Sequence, residues 1–279
     1  MNTTTLNQQN KTGLKRDTSD KFYTSDSVVL LCYNLIKEYL KLNKKDLIIE
    51  PSAGDGAFIN IIKNLSNNYK FYDITPNDKQ IIKQDYLLLD IGQFVDKFKK
   101  IHIIGNPPFG RQSSLAIKFI KKSCNFCNTI SFILPKSFKK DSMKKYFPNN
   151  FHNLLERDLP DNSFLVDGKE HNVPCIFQIW EKKEHNRIMP AKLEPINYKF
   201  VKKEDNPDIS FRRVGVYAGN IDTNIEDKSF QSHYFIKLGS ISVDDFIEKY
   251  KTITFECNNT VGPKSISKQE LIHKLNKLF

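Results

Sequence analysis

A chain of 279 residues is long enough to bury a core and to hold one large domain, or one domain with a smaller lobe. Charged residues at 27% and aromatics at 12% are ordinary for a globular protein, and no apolar run approaches the ~20 residues of a membrane span. The net charge of +11 favours a polyanionic partner, nucleic acid before a membrane surface. The surplus is clustered. Between Arg111 and Lys145 nine basic residues (Arg111, Lys118, Lys121, Lys122, Lys136, Lys139, Lys140, Lys144 and Lys145) face one acid, Asp141, a local excess of +8. Cys32, Cys124, Cys127, Cys175 and Cys257 make an odd number of cysteines, and no signal peptide is read, so an intracellular, reducing compartment is expected. Cys124-x-x-Cys127 lacks a matching second pair and reads as packing; no metal site is assigned.

In chain order, residues 1–19 are polar and read as a disordered tail. Lys21-Phe22-Tyr23-Thr24 precedes an amphipathic helix capped by Ser25 or Asp26, with Val28, Val29, Leu31, Cys32, Leu35, Ile36 and Leu40 as its apolar stripe. Leu47-Ile48-Ile49 is a buried-strand pattern ending at Glu50. Pro51-Ser52-Ala53-Gly54-Asp55-Gly56-Ala57-Phe58 follows, then a helix to about Leu65. Strand, glycine turn, helix opens a doubly wound sheet, and Gly54 and Gly56 let the backbone bend tightly and approach a ligand. The turn is neither a P-loop nor a full Gly-x-Gly-x-x-Gly fingerprint. Tyr69 to Tyr72 reads as a second strand ending at Asp73, 19 residues after Gly54, where such folds hold a ribose diol. A strand-ending surface aspartate is the other reading. Asp85 follows a polar helix-or-turn segment.

Ile101-His102-Ile103-Ile104 is another buried strand, and Asn106-Pro107-Pro108-Phe109 comes straight after it. Two prolines cannot continue a ladder or enter a helix interior, so the backbone leaves the sheet there in a rigid shape that presents carbonyls and the Asn106 amide beside an aromatic face. Such a cluster suits a planar, NH₂-bearing ring such as a nucleobase; an ordinary strand-to-loop turn is equally compatible. Ser113-Ser114 caps a helix carrying Leu115, Ala116, Ile117, Phe119 and Ile120. Thr129 to Leu134 is a strand ended by Pro135, Lys136 to Lys145 a basic segment, and Cys175 to Trp180 a further strand. The strand-helix alternation predicts an α/β doubly wound, mostly parallel sheet of six or seven strands. A linker is placed from Glu181 through the proline-containing stretch Met189 to Pro207. Beyond it Phe211 to Tyr217, His233 to Leu238 and Thr252 to Phe255 read as strands, with helices near Val243–Tyr250 and from Ser267, in a small C-terminal α+β lobe.

Asn106-Pro107-Pro108-Phe109 resembles the (Asp/Asn/Ser)-Pro-Pro-aromatic motif of S-adenosylmethionine-dependent methyltransferases that act on exocyclic or amide nitrogens, chiefly adenine N6. Glu50-Pro51-x-Ala53-Gly54-x-Gly56-x-Phe58 resembles the cofactor loop of the same enzymes. Lys21 to Thr24 looks like their methionine-binding segment, and the motif order is like that of the gamma group of N6-adenine DNA methyltransferases. The resemblance covers about Lys21 to Lys182, with weak matches at Arg212 to Asn220 and Gly262 to Lys268. It implies a Rossmann-like methyltransferase domain over residues 20–182 and a substrate-recognition lobe over 190–279. It implies S-adenosyl-L-methionine as cofactor, held by Phe22, Tyr23, Thr24, Glu50, Ala53, Gly54, Gly56, Asp73, Asp85 and Asn106. The catalytic set it implies is Asn106, Pro107, Pro108 and Phe109. Phe164 is a candidate for the second face of the base, with a core phenylalanine the equally good reading, and the basic residues Arg111, Lys136, Lys139 and Lys140 are expected on phosphates. DNA is favoured over RNA, although Asn106 to Gly110 also resembles rRNA adenine-N6 methyltransferases. Protein glutamine-N5 methyltransferases are a further resemblance, opposed by Phe109 in place of tyrosine and by the basic cluster. Oligomeric state stays open.

Overall fold

The computed structural model describes residues 23–166, 168–255 and 264–279. Phe22 and Cys257 lie outside them. In chain order the elements are β1 (Tyr23–Thr24), α1 (Asp26–Tyr39), β2 (Leu47–Glu50), α2 (Ile59–Leu65), β3 (Asn68–Asp73), β4 (Ile82–Lys83), α3 (Gly92–Val95), β5 (Ile101–Gly105), α4 (Ser114–Cys124), β6 (Thr129–Pro135), α5 (Asp141–Lys144), β7 (Phe151–Asp158), β8 (Phe164–Val166), β9 (Lys169–His171) and β10 (Cys175–Lys182). The lobe follows with β11 (Tyr198–Val201), β12 (Ile209–Arg212), β13 (Ile221–Asp222), β14 (His233–Leu238), α6 (Val243–Tyr250) and α7 (Lys268–Leu275).

A seven-stranded sheet has the order β4-β3-β2-β5-β6-β10-β7, parallel from β4 to β6, with β10 antiparallel to both of its neighbours. Continuous apolar runs in β2, β5 and β6 allow burial on both faces. Leu47, Ile49, Ile101, Ile103, Ile130 and Phe132 pack with Ala116, Phe119 and Ile120 of α4. Alternate residues Ile48, Ile104 and Ile133 pack with Val28, Cys32 and Ile36 of α1 and Ile59 and Ile62 of α2. The sheet is therefore doubly wound, as its sequence pattern predicts. A four-stranded sheet, β11-β14-β12-β13, closes a third core with Phe246, Leu271 and Leu275. Among the described residues no helix is long and apolar enough to cross a membrane.

Several expectations are corrected. The stretch read as linker contains β11, whose Tyr198 and Phe200 pair with Leu238 and Ile236. The strand expected over Phe211–Tyr217 stops at Arg212, because Gly215 turns at φ +95°. Thr252–Phe255 forms no strand. β7, β8, β9 and β13 go unforeseen: β7 is an edge strand rich in polar residues and lacks clean alternation, and the others are two or three residues long. Ser113 does not cap α4 through its side chain. It sits at φ 61°, and the N–H groups of Leu115 and Ala116 donate instead to the Phe109 carbonyl. Cys124 and Cys127 are buried packing residues, and burial pushes the Cys124 thiol up to about 12.

At the amino edge of the sheet, buried His102 joins three strands: its Nε2 lies 3.2 Å from Asp46 Oδ2 and its Nδ1 2.7 Å from Thr129 Oγ1. Burial lowers its pKa below the ordinary 6.5, against the partial opposition of Asp46. The unfolded chain therefore binds the proton that the folded chain refuses, so this contribution is full above about pH 6.5 and is lost as the pH falls through the folded value. In thermal melts from pH 8 to pH 5 the Tm difference between wild type and His102→Gln is expected to narrow as the pH falls. That variant starts lower at pH 8 by about 1–3 kcal/mol, the cost of weakening a buried network.

Candidate active site at the carboxyl edge

The chain runs from β2 outward through β3 to β4, then returns to the other side of β2 to continue through β5 to β6. The strand order thus reverses between β2 and β5, and in open α/β sheets the crevice outside the carboxyl ends at that reversal is where ligands bind. Glu50 ends β2, Asp73 ends β3, and Gly105-Asn106 ends and leaves β5.

Glu50 is only 2% exposed, and its Oε2 has no hydrogen-bond partner among the described residues. Burial and the charges of Asp55 and Asp73 raise its pKa well above the ordinary carboxylate range. Room for it comes from Gly105, at φ +151°, where an added Cβ would stand 3.2 Å from Glu50 Cγ. A buried acid surrounded by acids, with one oxygen unpartnered, is chemically suited to a cationic or N–H-bearing ligand.

The glycine turn is held from both sides. Gly54 N–H donates to Asp73 Oδ2 at 2.8 Å, and Thr75 N–H donates to Asp73 Oδ1 at 2.8 Å. Ala53 N–H donates to the Tyr72 carbonyl at 2.8 Å and Asn77 N–H to the Gly54 carbonyl at 3.1 Å. At Gly54, φ +55°, an added Cβ would stand 3.5 Å from the Tyr23 ring; at Gly56, φ +89°, it would meet Ile59 Cδ1 at 2.6 Å. Tyr23 itself is fixed by Asn77 Nδ2, which donates to its hydroxyl at 2.9 Å. Asp85 Oδ1 accepts from Leu87 N–H at 2.8 Å and so opens the turn after β4.

Asn106 is tied at both ends. Its Nδ2 donates to Thr24 Oγ1 at 3.3 Å, and its carbonyl accepts from Ser52 Oγ at 3.1 Å. Thr24 is positioned in turn by β1, which pairs with β8 (Thr24 opposite Phe164, Tyr23 opposite Leu165), while Ser25 N–H donates to the Ser163 carbonyl. Pro107 is buried, Pro108 exposed, and Phe109 half-buried against both faces of the sheet's core. Gly110 follows at φ +68°, where a Cβ would come within 2.8 Å of Leu115 Cγ. Gln112 and Ser113 both lie in the left-handed region, at φ 53° and 61°, a strained entry to α4.

Tyr23, Thr24, Glu50, Ala53, Gly54, Gly56, Asp73, Asp85 and Asn106 to Phe109 thus lie on strand ends and connecting turns that share one edge of the molecule. One expectation is corrected, the place of Phe164 on the face of a base. Phe164 is fully buried in one cluster with Ile104, Ile133 and Phe177, so it offers no face to a base; its work is to seat β8 under β1. The lysines after β6 are not a row of unpaired cations. Lys136 and Lys139 reach Asp158 at 3.7 and 2.8 Å, Lys144 reaches Glu156 at 2.9 Å, and Lys140 reaches Glu270 at 3.6 Å. Arg111 is exposed and forms no ion pair among the described residues. Ser52, Asn77, Gly105 and Gly110 escape a reading of the sequence. Gly105 and Gly110 have a legible signal, a glycine on each side of the proline motif. Ile74, 63% exposed next to Asp73, leaves an apolar side chain in solvent at the same edge.

No family model matches the sequence, and no curated protein matches it. Among solved structures, the chain is similar to a putative class I S-adenosylmethionine-dependent methyltransferase of Listeria monocytogenes (16% identity over 60% of this chain and 63% of that one, TM-score 0.42). It is similar also to a putative RNA methyltransferase of Pyrococcus horikoshii (17%, 56% and 81%, TM-score 0.37) and to the 23S rRNA methyltransferase ErmE (10%, 60% and 72%, TM-score 0.42). The match spans less than two thirds of the Listeria protein. The reading of the site rests on the chain's own residues.

The Glu50 carboxyl has its proton bound more tightly in the folded chain than in the unfolded one. Its burial therefore costs nothing below the ordinary value of 4.5 and costs progressively more as the pH rises toward the folded value. Glu50→Gln is expected to raise the Tm of the ligand-free protein at pH 7, by about 2–4 °C for each kcal/mol relieved. The gain should shrink to nothing as melts approach pH 4.5. A Tm lowered at both pH values would overturn the account.

Proposed function

We propose that this chain is an S-adenosyl-L-methionine-dependent methyltransferase acting on the N6 amino group of adenine in DNA. The observation that carries the proposal is the assembly at the strand reversal: a buried carboxyl whose Oε2 has no partner among the described residues and a glycine turn on one side, and Asn106-Pro107-Pro108-Phe109 clamped on the other.

The residues present fit the cofactor. Glu50 Oε2 supplies the acceptor that a cationic amino-acid moiety needs, and the Gly54 and Gly56 turn admits a ligand close to the backbone. Asp73 keeps a lone pair on each oxygen for a ribose diol while its charge organises the glycine turn. Asp85 and exposed Ile74 supply an acceptor and an apolar face for a purine. When bound, S-adenosyl-L-methionine supplies an electrophilic methyl group on a sulfonium.

The adenine N6 lone pair is delocalised into the ring and is a weak nucleophile. Asn106 Oδ1 and the Pro107 carbonyl would accept its two N–H bonds, orient the nitrogen, and stabilise the positive charge that develops on it. No strong base is required, because the amine proton becomes acidic only as the methyl arrives. Phe109 would stack on the base, worth ~1–3 kcal/mol. A duplex target has to be flipped out at a cost of a few kcal/mol. Thr24 fixes the plane of the Asn106 amide, so it positions the acceptor without touching the base.

The test is transfer of labelled methyl from S-adenosyl-L-methionine to duplex DNA, single-stranded DNA, total RNA and bulk protein. Label is expected as N6-methyladenine in DNA and is expected to vanish in Asn106→Ala. Label only in RNA moves the substrate, and label in protein glutamine overturns the nucleic-acid reading. Thr24→Val is expected to lower kcat about 10- to 100-fold, the scale of a misoriented reacting group. Thr24→Ser, which keeps the hydroxyl that Asn106 bonds, should restore the rate.

A further inference from the structure

The chain that joins the main sheet to the lobe is fastened at both ends and loose in the middle. On the catalytic side the fastening is Arg187. Its guanidinium donates to the carbonyls of Lys144, Phe147, Pro148 and Phe151 at 2.6–3.0 Å and lies over the Trp180 ring at 5.2 Å. A planar, always-charged fork suits such a cluster of carbonyls. On the lobe side, Gln269 of α7 accepts from Leu193 N–H at 2.8 Å and donates to the Leu193 carbonyl at 3.0 Å. Asn276, just past α7, accepts from Ile196 N–H at 3.1 Å and donates to the Glu194 carbonyl at 2.8 Å. Residues 188–192, between these anchors, are exposed and belong to no helix or strand, and among the described residues they form no hydrogen bond. Ile188 is 97% exposed.

Elsewhere the two units meet through a small polar contact. Their cores share no residue. Of the hydrogen bonds and ion pairs between described residues, those that cross from one unit to the other are made by Lys140, five residues past the carboxyl end of β6. Its Nζ donates to the Ser265 carbonyl and lies 3.6 Å from Glu270 Oε2. The two side chains are 16% and 26% exposed, shielded from solvent yet within reach of salt.

Both ends of this contact are stiff. Lys140 N–H donates to the Ser137 carbonyl at 3.0 Å, and its own carbonyl accepts from Met143 and Lys144 N–H at 2.8 and 3.0 Å. Ser265 is bridged to Val214, in the turn after β12 that exposes Val216 and Tyr217. Gly215 N–H donates to the Lys264 carbonyl at 3.0 Å and Ile266 N–H to the Arg213 carbonyl at 2.8 Å, locking the same place. Glu270 closes the capping box of α7 with Ser267. A side chain held between two rigid bodies transmits the position of one to the other.

We infer that Lys140 is a latch and residues 188–192 the hinge of a two-position lobe. With the latch made, the lobe is held beside the carboxyl edge of the sheet; with it broken, the lobe turns on the hinge. Units joined by a small polar contact move relative to one another by default, and a few loop residues absorb the change. One charge-assisted hydrogen bond and one ion pair bias such an equilibrium without locking it. The inference goes beyond the proposed function and does not rest on it, since neither cofactor nor substrate takes part in the latch.

The test is the distance between spin labels on two exposed helical positions of the full-length chain, Lys118→Cys in α4 and His273→Cys in α7, with no ligand added. A Cys257→Ser background leaves the introduced pair to be labelled, because Cys32, Cys124, Cys127 and Cys175 are buried. Otherwise unaltered protein at low salt is expected to show one narrow distance. Lys140→Met is expected to raise the population of a second, longer distance about tenfold, and Lys140→Arg to restore the first. Salt at about 0.5 M, where screening acts over a few ångströms, is expected to populate the second distance when Lys140 is present and to add nothing in Lys140→Met. Lys139→Met removes a neighbouring cation whose partner, Asp158, lies in the catalytic domain, and is expected to leave the distances unchanged. Distances in Lys140→Met that match those with Lys140 present at both salt concentrations would overturn the latch. An equal change in Lys139→Met would assign the effect to lost charge and overturn it as well, leaving the proposed function untouched.

Discussion

Glu50 sits at the end of a strand buried on both faces, where among the described residues no donor reaches its Oε2 and the charges of Asp55 and Asp73 act against its own. Folding alone does not favour such a group, because burial disfavours the charged form and the neighbours repel it. The adjacent backbone is shaped to keep it: Gly105 occupies a conformation open to few other residues, and a side chain there would press on Glu50 itself. A ligand that brought a donor or a positive charge would relieve that cost, and the glycine turn held by Asp73 lies at the same carboxyl edge of the sheet.

Around that carboxylate the edge is assembled by strands that end together and by one segment from elsewhere. β1 is two residues long and has no place in the main sheet, yet it carries Tyr23 against Gly54 and Thr24 against Asn106. It is anchored by β8, and β8 is anchored by Phe164 in the core. The glycine-turn side and the Asn106 side are thereby referred to a single short strand, so a shift of β1 moves both.

The sequence displays the parts of this arrangement that obey short-range rules. Apolar runs at Leu47–Ile49, Ile101–Ile104 and Thr129–Leu134 fix the central strands, because a strand covered on both faces has no alternative reading at that length. The glycine turn and the proline motif are legible because only those residues allow the backbone they need. Phe164 was not legible: an aromatic after Asn162-Ser163 looks alike whether it stacks on a base or fills a core, and the pairing of β8 with β1 spans 140 residues of chain. The lysines past β6 mislead for a related reason. A count of charge along the chain cannot see that Asp158 and Glu156, on an edge strand without alternation, or Glu270, far along in the lobe, fold back onto them.

The third core, built from residues between Tyr198 and Leu275, shares no member with the two cores flanking the main sheet. Its packing is satisfied internally, and its exposed turn is fastened to its own neighbours. Substitutions at Val216 and Tyr217 therefore disturb neither the strand ends nor the buried carboxylate. Each packing unit can therefore absorb a change of side-chain volume without transmitting it to the other, so a substitution inside the lobe is expected to leave the packing under the strand ends intact.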